Sequence, residues 1–161
     1  MRLDPRVLIL CGALAGAAAA QAGPVEVTFT HAARMSDAGT TPSDEESNLK
    51  AIAQHLRSLG PRYLSSDRTL EIEVTDVDLS GENKLLRRRI GEMRVARGGA
   101  DIPKISVRYT LQAHGQVLKQ GEETITDLDY LRRPTRYGPA DPLAHEKRML
   151  DDWFKARFAT P

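Results

Sequence analysis

Residues 105–126, "ISVRYTLQAHGQVLKQGEETIT", constrain the fold more tightly than any other stretch of the chain. Ile105, Val107, Tyr109, Leu111 and Ala113 alternate with more polar residues, so the segment has one apolar face and reads as a half-buried strand. His114-Gly115 follows and suits a two-residue turn, because glycine takes positive φ freely and histidine tolerates it better than most residues. A second run returns from Gln116 to Thr126, and an antiparallel hairpin commits the chain to a sheet. The return contains an inconsistency. If Leu118 sits opposite Leu111 on the core face, Ile125 lies an odd number of residues further on and points outward. A one-residue bulge restores it, and Gly121 is where a bulge costs least.

The remaining elements follow from similar patterns. Val25, Val27 and Phe29 alternate with Glu26, Thr28 and Thr30, and Leu70, Ile72 and Val74 alternate with Glu71, Glu73 and Thr75, giving strands at 25–29 and about 69–75. Between them Ser43 and Glu46 form a capping box. Leu49, Ile52, Ala53, Leu56 and Leu59 recur at helical spacing, and Gly60-Pro61 stops a helix predicted over 44–59. Asp141 as N-cap and Pro142 at the first helical position open a last helix, with Leu143, Leu150, Phe154 and Phe158 on one stripe and Trp153 on its flank. The connection at 82–103 is basic, with Arg87, Arg88, Arg89, Arg94 and Arg97, and "NKLLRRRIGEMRV" carries a short helix or irregular strand. The order β-α-β-β-β-α predicts an α+β fold: a two-layer sandwich with an about four-stranded mixed sheet and two helices packed on one face.

The first residues have the layout of a cleavable secretory leader: Arg2 and Arg6, an apolar run from Val7 to Ala20, and a small-residue site ending at Ala22. The run is shorter than the ~20 residues a spanning helix needs, so no stable membrane insertion is expected after cleavage. Residues 23–161 then form a single globular domain, periplasmic or secreted, without cysteine, which its core must hold together. The chain has 23 Lys plus Arg against 22 Asp plus Glu. Removing Arg2, Arg6 and Asp4 leaves the two signs equal, so no global field favours nucleic acid or an anionic membrane.

"EVTDVDL" at 73–79 and "TITDLDY" at 124–130 place Asp76, Asp78, Asp127 and Asp129 at matching positions. In a meander the outer two strands run parallel, so both motifs emerge at one sheet edge, on the order of 10 Å apart. The first strand ends there too and brings His31 close. A hard cation wants oxygens gathered this way, and "DVDLSG" resembles the start of a calcium loop, but the twelfth position is Arg87 instead of a bidentate glutamate. The alternation also breaks at Thr-Asp in both motifs: Val74 is followed inward by Val77 and Leu79, and Ile125 by Leu128 and Tyr130. Strands bulge or turn over their ends in this way, and aspartates serve there by accepting backbone hydrogen bonds, with Lys104 and Arg94 or Arg97 near enough to neutralise them. The motifs therefore read first as strand endings and second as a metal or ligand site. Arg88, within the arginine run, is a further candidate contact for an acidic envelope ligand. "HEKRM" at 145–149 lacks the second histidine of the zinc-protease motif, and His145 is placed toward solvent. His55 flanks the apolar stripe of its helix.

"VEVTF" at 25–29, "EVTDVDLSGE" at 73–82, "RVAR" at 94–97, "IPKISVRYTL" at 102–111, "GEETITDLDY" at 121–130 and "HEKRMLDDWF" at 145–154 occur in order, and on them the chain resembles a family of small exported proteins of Gram-negative bacteria, domain of unknown function 3016. The resemblance implies an exported single domain and carries no assigned activity. No cofactor is expected. The residues favour a non-catalytic binding or envelope-assembly module with an unidentified envelope partner or ligand. The alternative is a small metal-dependent or acid/base hydrolase using His31 and the four aspartates.

Overall fold

A computed structural model describes residues 23–30, 35–85, 92–95, 101–138 and 140–159, with 82–85 and 92–95 described by their backbone. The elements in order are β1 (Val25–Phe29), α1 (Pro42–Tyr63), β2 (Arg68–Asp78), β3 (Glu82–Leu85), β4 (Glu92–Val95), β5 (Lys104–Ala113), β6 (Gln116–Thr126) and α2 (Ala144–Phe158). The main sheet has the order β1-β2-β5-β6. β1 is parallel to β2, and β2, β5 and β6 form the antiparallel meander. This is the expected mixed four-stranded α+β sandwich. The connection at 82–103, expected to carry a short helix or irregular strand, adds an antiparallel pair, β3 with β4.

One sheet face is the core. Val25, Val27, Leu70, Ile72, Val74, Ile105, Val107 and Tyr109 pack there against Ile52, Leu56 and Leu59 of α1 and Leu150, Trp153, Phe154 and Phe158 of α2. α1 begins a little before the expected position. Thr41, not Ser43, is the N-cap, and its reciprocal partner is Asp44, not Glu46, with Pro42 in the first turn. The helix also runs through Gly60-Pro61 to Tyr63. Gly60 is small because a Cβ there would lie 2.7 Å from Val25 Cγ2 and 2.8 Å from the Gly23 carbonyl. Pro61 sits so close to the helix end that its missing donor removes one late hydrogen bond and does not interrupt the element.

The hairpin turn is as expected: His114 has φ 51° and Gly115 φ 76°. The bulge is elsewhere. The register shifts between Leu111 and Gln112, whose partners are Lys119 and Val117, so Leu118 is the extra residue and is exposed. Gly121 remains in register opposite Tyr109, where a Cβ would meet the tyrosine hydroxyl at 2.8 Å. Its smallness serves the ring and not a bulge. α2 starts at Ala144 instead of Pro142: Asp141 Oδ1 accepts from Leu143 N at 3.0 Å and closes a turn before the helix.

Candidate functional site

The two Thr-Asp-apolar-Asp motifs lie on β2 and at the end of β6, separated by β5. The phase break in the first is a bulge in β2 between Val74 and Asp76, after which Val77 and Leu79 return to the core. Asp76 then accepts from Ser36 N at 2.8 Å and Ser36 Oγ at 2.9 Å, fastening the loop after β1. Beside it Asp37 makes a parallel bridge to Asp78, donating to the Val77 carbonyl and accepting from Leu79 N, each at 2.9 Å. Asp78 is paired with Lys104 Nζ at 3.2 Å, as the sequence suggests. The second motif turns the chain off the sheet. Asp127 Oδ1 accepts from Asp129 N at 3.1 Å, and the Asp129 carbonyl accepts from Arg132 N and Arg133 N. Tyr130 is buried as expected, but Leu128 is 73% exposed, because the turn replaces the strand on which alternation would point it inward.

The Asp76, Asp78 and Asp127 side chains therefore fasten loops and strand ends, whereas that of Asp129 is exposed, 3.9 Å from Arg132. No group of three or more His, Cys, Asp or Glu suited to a metal ion occurs among the described residues. His31 and Arg88 lie outside the described residues, and Arg94 is placed on β4 by its backbone alone.

The partner that holds Asp127 comes from α2. Arg148 Nη2 donates to Asp127 Oδ2 at 2.6 Å and to the Tyr130 carbonyl at 3.0 Å, while Nη1 donates to the carbonyls of Arg133 and Pro134. The Asp127 and Arg148 side chains are 7% and 8% exposed. One guanidinium thus ties down the chain between β6 and α2. A second network fixes the rest of that connection. Asp151 Oδ2 accepts from Tyr137 Oη at 2.6 Å and Arg136 Nη2 at 2.8 Å. His55 Nε2 lies 3.1 Å from both the Lys147 carbonyl and Asp151 Oδ1. A carbonyl only accepts, so Nε2 carries the proton. Burial lowers the His55 pKa against the opposing pull of Asp151. His145, expected toward solvent, is half-buried and stands edge-on to Tyr130, ring centroids 5.1 Å apart.

What these networks leave open is the sheet edge at β6. At the opposite edge Arg57 of α1 donates from Nη2 to the Val27 carbonyl of β1 at 3.0 Å. β6 ends the strand order, and no described strand pairs with its outer side. Its core face carries Lys119, Gly121 and Glu123 opposite Leu111, Tyr109 and Val107. Glu123 accepts from Tyr109 Oη at 2.9 Å, Trp153 Nε1 at 3.2 Å and Arg157 Nε at 3.0 Å. Burial raises the Glu123 pKa, but these donors outweigh it and hold the carboxyl below its ordinary value. An open groove of about 380 Å³ runs beside β6, lined by Leu128, Met149 and Trp153 and by the charged Glu123, Asp127, Asp129, Arg133 and Asp152.

The large hydrophobic residues exposed among the described residues are Val117 (55%), Leu118 (52%), Leu128 (73%) and Leu131 (48%). All four lie on β6 or in the turn after it. Sequence reasoning placed Leu118 and Leu128 in the core and missed this edge. The signal available was Leu118 itself, which fits the core phase of its strand only if a bulge is placed after it.

The family described as "Protein of unknown function (DUF3016)" matches residues 23–156, and the chain belongs to it. No curated protein and no solved structure matches the chain.

Proposed function

We propose that this chain is an exported, non-catalytic binding module of the bacterial envelope that works through the β6 edge and the turn at 127–132. The observation that carries the reading is that the exposed large hydrophobics among the described residues form two pairs at the two ends of β6, Val117 with Leu118 and Leu128 with Leu131, beside a sheet edge that no described strand pairs with. The carboxylates that suggested a hydrolase support it indirectly. Asp76, Asp78 and Asp127 are each engaged by a backbone or basic partner that holds a loop or strand end. The leader-like residues 1–22 support export, which would deliver the domain to an oxidising compartment where a cysteine-free fold is at no disadvantage. Among the described residues no helix is long and apolar enough to cross a membrane.

A photo-reactive amino acid at Leu128, with Thr28 on the opposite sheet face as control, tests the surface in cells producing the full chain. Protein-sized adducts form at 128 and not at 28 if the edge binds. Absence of adducts at 128 removes the reading. Thermal melting with and without Ca²⁺, Mg²⁺, Mn²⁺ and Zn²⁺ tests the metal-dependent alternative, which requires a shift where the binding module shows none.

A further inference from the structure

We propose that the occupant of the β6 edge is β6 of a second copy of this chain, paired antiparallel about Gly121 so that two four-stranded sheets become one of eight strands. This rests on the binding reading above and names its partner.

The edge is built in a way that disfavours unlike strands and suits itself. Strand edges are commonly protected by inward-pointing charges and by bulges. β6 has both: Lys119 and Glu123 on the core face, and a bulge at Leu118. An arbitrary apolar strand laid along this edge would set apolar side chains beside these charged ones. A two-fold pairing about Gly121 does the reverse. It sets Lys119 opposite Glu123 of the second copy and Glu123 opposite its Lys119, and it sets Gln120 opposite Glu122 in the same way. Each charge keeps an anchor of its own. Lys119 Nζ donates to the Arg157 carbonyl at 3.1 Å, and Glu123 is held by Tyr109, Trp153 and Arg157. Their heads are held against Tyr109 and α2 of their own chain, so the second strand adds an opposite charge beside groups that are already anchored.

The apolar residues fit the same symmetry. An isologous interface brings patch i against patch j and patch j against patch i. Val117 and Leu118 mark the hairpin end of β6, and Leu128 and Leu131 mark the other. Antiparallel pairing lays the hairpin end of each copy beside residues 124–126 of the other, with Leu118 opposite Thr124 and Val117 opposite Ile125. The ladder covers the Val117–Leu118 end of each strand, while Leu128 and Leu131 lie in the turn that leaves the sheet, beyond its last paired residue.

Analytical ultracentrifugation of the purified protein across the micromolar range tests this. The wild-type protein sediments as a dimer. Leu118→Asp and Thr124→Lys each weaken self-association roughly tenfold or more while keeping the wild-type circular dichroism spectrum, since both positions are exposed in the monomer. Mixing the two variants restores a heterodimer, because the new Asp of one chain then faces the new Lys of the other while the remaining Leu118–Thr124 contact is native. A monomeric wild type overturns the proposal, as does a dimer that neither variant weakens or a mixture that shows no recovery. A monomer that still gives adducts at Leu128 to a different protein defeats the second-copy assignment and leaves the binding surface standing. A monomer with no adducts defeats both.

Discussion

Replacing Arg148 by Met removes the guanidinium that fastens the connection between β6 and α2 while keeping an unbranched side chain of similar length in its place. The loss falls on several groups together. Asp127 loses its 2.6 Å partner and keeps Asp129 N at 3.1 Å and Arg133 Nη1 at 3.3 Å, while the carbonyls of Tyr130, Arg133 and Pro134 lose their donor. Removing one member of a buried ion pair costs ~3–5 kcal/mol because the other charge is left uncompensated. The surviving Arg133 contact places this case near the lower end. Arg108→Met is the control. Arg108 pairs with Glu73 at 2.6 Å on the open sheet face, and such half-exposed pairs contribute ~0.2–1 kcal/mol. Urea denaturation of both variants beside the wild type gives the difference directly. In the double variant Arg148→Met with Asp127→Asn, the two effects are non-additive by ~1–3 kcal/mol, since each removes the same contact. If Arg148→Met costs no more than Arg108→Met, the second aspartate motif is not a fastener and the assignment of its carboxylate is wrong.

Two further outcomes follow from the packing. Gly121→Ala forces a Cβ to 2.8 Å from the Tyr109 hydroxyl and 3.0 Å from its ring, so it destabilises by ~1–3 kcal/mol in a melting or urea experiment although the position is on an edge strand. His55, whose pKa is lowered on folding by burial, favours the fold in its neutral form. Its contribution is present above the unfolded value of 6.5 and is lost as pH falls through it, so urea midpoints drop between pH 7 and pH 5, and His55→Gln flattens that part of the profile.

Most of the architecture was legible because it is local. Alternation, two helical stripes and a His-Gly turn set the element order, and the phase break at Thr75-Asp76 correctly marked a bulge. The misreadings have non-local causes. Gly121 looked like a bulge because sequence does not show the Tyr109 ring lying over it, and Leu118 took that role instead. Gly60 looked like a helix stop, whereas it is a close approach to β1. The pairing of Asp127 with Arg148 spans 21 residues and depends on where α2 docks, so the second motif could be recognised as a strand end without its partner being known. The candidate edge was hidden for a related reason: Leu118 and Leu128 fit the apolar phase on paper, and only the observed register and turn expose them.

Amide hydrogen exchange of β6 as a function of protein concentration tests the central claim most directly. Protection of the outward-facing amides between Lys119 and Glu123 rises with concentration while that of β1, at the other edge of the sheet, is unaffected. Protection of β6 that stays constant across the concentration range would contradict an edge that pairs with its own copy.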